Sequence, residues 1–263
     1  MSLRAAMAVT TALLLSYGGP AAAAEPPALA KARALYNAAD YDAAIAAAAL
    51  ARTLPAAGDA AALVTARAHL ERYRLRGDTT DLVAAREALA AVRAAMLPPR
   101  DQVDHLVGLG QSLYLSDNFS AAAELFETAL ARGALLGHRD RQMLVDWWAT
   151  ALDREAQGRP PDRRAAAYER IAARMEEEVR EDPGSAAANY WLAAASRGAG
   201  DWDRAWSAAA AGWIRARLSP ETAEALRSDL DRLVTQALVP ERTRMKPARD
   251  PLADWQQLKQ DWP

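Results

Sequence analysis

Residues 105–130 read HLVGLGQSLYLSDNFSAAAELFETAL, and the spacing of the large side chains in this stretch decides the fold class. Leu106, Leu109 and Leu113 recur at intervals of three and four, which puts them on one face of a helix. Asn118-Phe119 marks a tight turn, after which Phe119, Ala122, Phe126 and Ala129 resume the helical period. The stretch predicts two helices joined by a turn. Gly110 and Ala122 are small enough to let the two axes approach closely, while Leu109, Leu113 and Phe126 fill the groove beside that contact.

Two other stretches superimpose on this one. Residues 30–51 read AKARALYNAADYDAAIAAAALA, and residues 189–213 read NYWLAAASRGAGDWDRAWSAAAAGW. In all three, a helical run ends at Asp or Asn before an aromatic residue (Asp40-Tyr41, Asn118-Phe119, Asp201-Trp202), and an early alanine follows in the second helix (Ala44, Ala122, Ala205). Two looser copies fit between them. One covers about Gly58 to Leu97, with Leu63, Ala66, Leu70 and Tyr73; the other covers about His138 to Asp182, with Val145, Trp148, Ala149 and Leu152. Ala85 and Ala166 then join an alanine series that recurs every 37 to 44 residues, and Asp182-Pro183-Gly184 closes the fourth copy.

These segments resemble the tetratricopeptide repeat, a helix-turn-helix unit of about 34 residues. The best copy carries Leu106, Leu109, Gly110, Leu113-Tyr114, Phe119, Ala122, Phe126 and Ala129 at the family's large, small and aromatic positions; the third copy has Ser196 where an aromatic or leucine is usual. The resemblance covers most of residues 28–217 and implies an all-α, right-handed α-solenoid of about five helix hairpins. It implies binding of a peptide or protein, with no cofactor and no chemistry of its own. The family's concave groove is lined by first-helix faces not used in packing. Carried over residue by residue, those positions are Arg33, Tyr36 and Asn37, then Gln111 and Tyr114, then Asp153 and Arg154, then Tyr190 and Arg197. Tyrosine and arginine are residue types enriched at binding hot spots.

The composition narrows the classes further. The chain has no cysteine, which excludes a disulfide scaffold, a thiol enzyme and a Cys-ligated metal site. With 32 basic and 34 acidic residues the net charge is −2, so no global field steers the molecule to nucleic acid. Arg4, the uncharged run from Ala5 to Tyr17, Gly18-Gly19-Pro20 and the alanines from Ala21 to Ala24 form a tripartite export signal. The expected organisation is thus a signal over residues 1–24, a helical-repeat domain over 25–238, and a linker with a short amphipathic segment over 239–263. The product is expected to be exported, with no membrane-spanning segment in the mature chain, and its partner to be a protein or peptide of the cell envelope.

After the repeats, Ser219-Pro220-Glu221 reads as a helix start, with Leu226, Leu230, Leu233 and Ala237 in one apolar stripe suited to capping a solenoid. Proline-rich residues 240–251 read as a linker. In the tail, Leu252, Trp255, Leu258 and Trp262 share a face of a short helix, which predicts docking onto a surface with the two tryptophans as anchors. All eight tryptophans lie after residue 146. Three histidines (His69, His105, His138) sit in different repeats without a metal-binding spacing, and no nucleophile elbow, zinc helix or phosphate-cradling loop occurs. The competing class is a helical-solenoid cell-wall hydrolase, which requires a catalytic carboxylate in a compact lobe.

Overall fold

A computed structural model describes residues 25–54, 56–245 and 250–263. The expected export signal lies outside these residues. Regular structure among the described residues is entirely helical, so the fold class is all-α. The chain forms two compact units: residues up to Ser116 together with Arg132–Asp140, and Asp117–Ala131 together with Arg141–Pro263.

In the first unit, α1 (Pro27–Asn37) packs on α2 (Tyr41–Ala51), α2 on α3 (Gly58–Arg76) and α3 on α4 (Thr79–Ala90). Helix α3 also meets α1 and α5 (Pro99–Tyr114), and α4 meets α5. Alanines make these approaches close: Ala32, Ala44, Ala48, Ala61, Ala66 and Ala85 are wholly buried, and Leu63 and Leu89 fill the space beside them. The turns are built alike. Ala39 (φ 60°) and Gly77 (φ 70°) adopt left-handed backbone, and the next residue, Asp40 or Asp78, caps the following helix by accepting from the N–H of Ala43 or Thr80. Such a cap contributes about 1 kcal/mol, which explains why Asp stands at both of these turns.

The second unit holds α6 (Phe119–Leu130), all of α7 (His138–Gln157) beyond its first three residues, α8 (Pro161–Glu181), α9 (Ala186–Ala199), α10 (Trp202–Arg215) and α11 (Pro220–Leu233). Helix α8 packs on α9, α9 on α10, and both α9 and α10 on α11. Between α9 and α10 the same turn recurs: Gly200 is left-handed at φ 88°, and Asp201 accepts from the N–H of Arg204 at 2.9 Å. Asp117 (φ 59°) takes that conformation before α6 as well.

Three sequence expectations need correction. Ala166 is exposed, whereas Ala44, Ala85, Ala122 and Ala205 are wholly buried. Helix α8 is 21 residues long and buries a later register, Ile171, Ala172, Met175 and Val179, so its alanine was aligned on the wrong turn. Residues 239–245 are not a linker. A π-helical turn (Val234–Leu238) carries the chain from α11 into α12 (Val239–Met245), and Pro240, the second residue of α12, follows it directly. Ser219 precedes α11 but its side chain caps no N–H. The final helix, α13 (Pro251–Asp261), starts at Asp250, which accepts from the N–H groups of Leu252 and Ala253. No helix among the described residues is long and apolar enough to cross a membrane.

Candidate partner-binding face

The positions expected to line a groove divide between the units and behave differently in each. In the first unit Arg33 and Tyr36 are spent on internal contacts. Arg33 is 7% exposed and donates to both carboxylate oxygens of Asp101, at 3.3 and 2.7 Å. Arg67, also buried, donates to Asp104 at 3.2 Å and lies 4.8 Å from the centre of the Tyr36 ring. Arg100 continues the ladder from Asp104 (3.4 Å) to Asp140, with which it forms a short charged hydrogen bond. Burial pushes the Asp140 carboxyl up, against the opposing pull of Arg100.

Tyr36 is 4% exposed, tilted against Tyr41 with ring centres 5.7 Å apart, and its hydroxyl is pushed up to about 12 by burial, with Arg67 pulling the other way. Gln111 is buried, and Asn37 and Tyr114 are partly buried. Between Arg33, Tyr36, Arg67, Asp101 and Asp104 there is room for about one water molecule. The expected contact residues Arg33, Tyr36 and Gln111 are therefore inside the unit, because opposite charges on α1, α3 and α5 face one another and close the gap a ligand would need. Arg67, Asp101, Asp104 and Asp140 escaped the sequence reading. Their signal was spacing: Arg33 and Asp101 stand 68 residues apart, with Arg67 midway.

The second unit keeps its corresponding face accessible. Asp146 and Asp153 lie seven residues apart on α7, Tyr190 and Arg197 seven apart on α9, and Asp229 and Arg232 three apart on α11, so each set shares one helix face. All six are partly buried or exposed, and Arg154 is exposed. Trp191 donates its indole N–H to Asp146 at 2.8 Å and meets Tyr190 edge-on, with ring centres 5.6 Å apart. Burial raises the Asp146 carboxyl above the usual range, and the charge of Asp229 adds to the rise. Burial raises Asp229 too, although Arg232 sits 3.4 Å from it.

The Tyr190 hydroxyl is likewise raised, first by burial and then by the charges of Asp229, Asp153 and Asp146. Three carboxylates thus act on one phenol. Beside them, Tyr168 on α8 donates to Asp153 at 2.7 Å, in a seat that only Gly198 permits: a Cβ there would come within 2.5 Å of the Tyr168 ring. Burial and the Asp153 carboxylate both hold the Tyr168 hydroxyl in its protonated form. The Nε of Arg197 is buried and has no hydrogen-bond acceptor among the described residues. Asp146, Tyr168 and Asp229 were missed in the sequence; the seven-residue interval from Asp146 to Asp153 was the available clue.

The tail rests on other helices. Trp255 is wholly buried, edge-on to Trp206 (6.0 Å) and Trp213 (5.5 Å), and donates its indole N–H to Asp231 at 2.9 Å. Lys259 donates to the same carboxylate at 2.7 Å. The backbone carbonyl of Trp262 accepts from the Trp213 indole, while its ring, 40% exposed, lies under Arg217. Leu258 is partly buried and Leu252 is 44% exposed. These contacts fall on α10 and α11 and use none of the expected groove residues.

His69 Nδ1 lies 2.7 Å from Asp81, and His105 Nε2 lies 3.1 Å from the carbonyl of Leu89, so both rings serve the packing of the first unit. Among the described residues, no three His, Asp or Glu side chains are grouped so as to hold a metal ion. No protein-family model, curated protein or solved structure matches the chain.

Proposed function

We propose that this chain is an exported, non-catalytic helical-repeat protein of the tetratricopeptide type that holds a protein or peptide partner in the cell envelope. Its hairpins stack as a right-handed α-solenoid, and the working surface is the face of α7, α9 and α11. Support for the repeat reading comes from the order of packing in the first unit, where α3 touches the helices on both sides in sequence as well as α1 and α5. The recurrence of a left-handed residue followed by an Asp cap supports it too.

One observation carries the binding reading. The face of α7, α9 and α11 gathers Asp146, Asp153, Tyr190, Arg197 and Asp229 with part of each side chain open to solvent, and leaves the Arg197 Nε unsatisfied. Buried polar groups are normally satisfied, so a donor left without an acceptor on an accessible face marks a place where a ligand can supply one. The test compares retention of envelope proteins by the wild-type chain and by the double variant Tyr190→Ala, Arg197→Ala, each checked for an unchanged melting temperature. A partner retained by the wild type and lost by the variant supports the proposal. Release of soluble fragments from peptidoglycan, abolished by replacing a single Asp or Glu, overturns it in favour of a hydrolase.

A further inference from the structure

The charges on the α7, α9 and α11 face go further than a binding role and specify the partner's chemistry. Elsewhere the chain matches its buried carboxylates with cations: Asp81 with Arg72, Asp101 with Arg33, Asp104 with Arg67, Asp140 with Arg100, and Glu178 with both Arg141 and Arg174. Asp146 breaks this pattern. Its one hydrogen-bond partner is the neutral indole of Trp191, and no Lys, Arg or His among the described residues pairs with it. The charge that acts on it is that of another carboxylate, Asp229.

A carboxylate removed from water without a counter-charge is costly, and the cost is recovered by whatever brings a cation to it. Tyr190 and Trp191 stand beside it as aromatic walls, and ring faces attract cations as well. Arg197, one turn pair further along α9, offers an unsatisfied donor suited to a carbonyl oxygen. Arg232 is engaged with Asp229 and leaves Asp146 alone.

Resting on the binding reading above, we infer that the occupant of this face is a peptide segment carrying a lysine or arginine side chain. Its cation sits between Asp146 and Asp229 beside Tyr190, and a backbone carbonyl accepts from Arg197. Charge complementarity selects this occupant over an acidic or wholly apolar segment, which would bury Asp146 with no compensating cation.

The experiment selects phage-displayed random twelve-residue peptides on the immobilised full chain, then titrates the recovered peptides, resynthesised with a dye, against wild type and variants by fluorescence anisotropy. The inference expects enrichment of Lys and Arg over the input library and a Kd about tenfold or more weaker when the basic residue becomes Gln. Asp146→Asn should weaken binding to a similar degree. That variant keeps an acceptor for the Trp191 indole and so preserves the local fold; Asp229→Asn is the second variant, and melting curves check both. Peptides without basic residues that bind, respond to Tyr190→Ala and ignore Asp146→Asn and Asp229→Asn would overturn the cation inference and leave the binding face standing. If no recovered peptide responds to Tyr190→Ala or Arg197→Ala, both fall.

Discussion

Replacing Trp255 by alanine should undock α13 while the rest of the second unit stays folded. The indole is wholly buried, lies edge-on to Trp206 and Trp213, and donates to Asp231. Truncating a buried Trp to Ala costs about 3–5 kcal/mol when the surroundings cannot collapse into the space. At about 1.4 kcal/mol per factor of ten, the docking equilibrium falls by roughly two to three and a half orders of magnitude. The other contacts are peripheral: the Lys259 bond to Asp231, the carbonyl of Trp262 on Trp213, Arg217 over the Trp262 ring, and Arg227 on the carbonyls of Trp262 and Pro263. A released helix of 11 residues is shorter than the ~12–15 needed for marginal stability in water, so it melts once free.

Hydrogen exchange resolves this outcome. Protection should vanish across α13 and persist in α8 and α9, and tryptophan emission should shift to the red as Trp206 and Trp213 meet water. Trp255→Phe keeps the ring contacts and loses only the bond to Asp231, worth about 0.5–1.5 kcal/mol, so its α13 should stay largely protected. If the α13 amides of Trp255→Ala exchange within about tenfold of wild type, the indole is not the anchor and the reasoning is wrong.

Four further outcomes follow from the burial and pairing of named groups. Tyr36→Ala should destabilise by about 3–5 kcal/mol, as for a core aromatic; a change within ~0.5 kcal/mol in thermal denaturation would return Tyr36 to an open surface. Arg33→Ala should cost about 3–5 kcal/mol because it strands the buried Asp101 carboxylate, whereas Arg33→Met combined with Asp101→Leu should recover most of that; equal losses for the two would refute the pairing. Gly198→Ala pushes a methyl into the Tyr168 ring and should cost about 1–3 kcal/mol, a loss that shrinks in the Tyr168→Ala background if that ring is the obstacle. Asp146 has a raised folded pKa, so its ionised form opposes folding at neutral pH, and this penalty disappears as pH falls through that pKa. Asp146→Asn should therefore raise the melting temperature at pH 7 and lose its advantage in acid; a lower melting temperature at pH 7 would contradict the desolvation argument.

What was legible in the sequence is what the chain encodes locally. The three-and-four spacing of Leu106, Leu109 and Leu113 falls within α5, and the turn residues Asp40 and Asp201, each before an aromatic, cap the helices that follow. These features depend on neighbours within one or two turns, so reading along the chain recovers them. Ala166 failed because the length of α8, 21 residues, shifts which turn is buried, and nothing near Ala166 records that length. Pro240 signals a break, but a π-helical turn directly precedes it and the helix continues through it, and nothing near Pro240 in the sequence records that turn.

The candidate site was half legible for a different reason. The resemblance singles out positions along the helices, but whether such a position is open or enclosed depends on what it meets on the next helix. Arg33 and Tyr36 occupy the face that in α9 presents Tyr190 and Arg197, with the same pairing of residue types. In the first unit an aspartate 68 residues away neutralises Arg33, and Arg67, itself held by Asp104, covers Tyr36. In the second, Tyr190 meets three carboxylates and Arg197 keeps an unsatisfied Nε. The same residue types are therefore enclosed in one unit and partly open in the other. What differs is whether an acceptor reaches the arginine: Asp101 meets Arg33 directly, whereas no acceptor among the described residues reaches the Arg197 Nε, and Asp146 on the same face has only the neutral Trp191 indole as its hydrogen-bond partner.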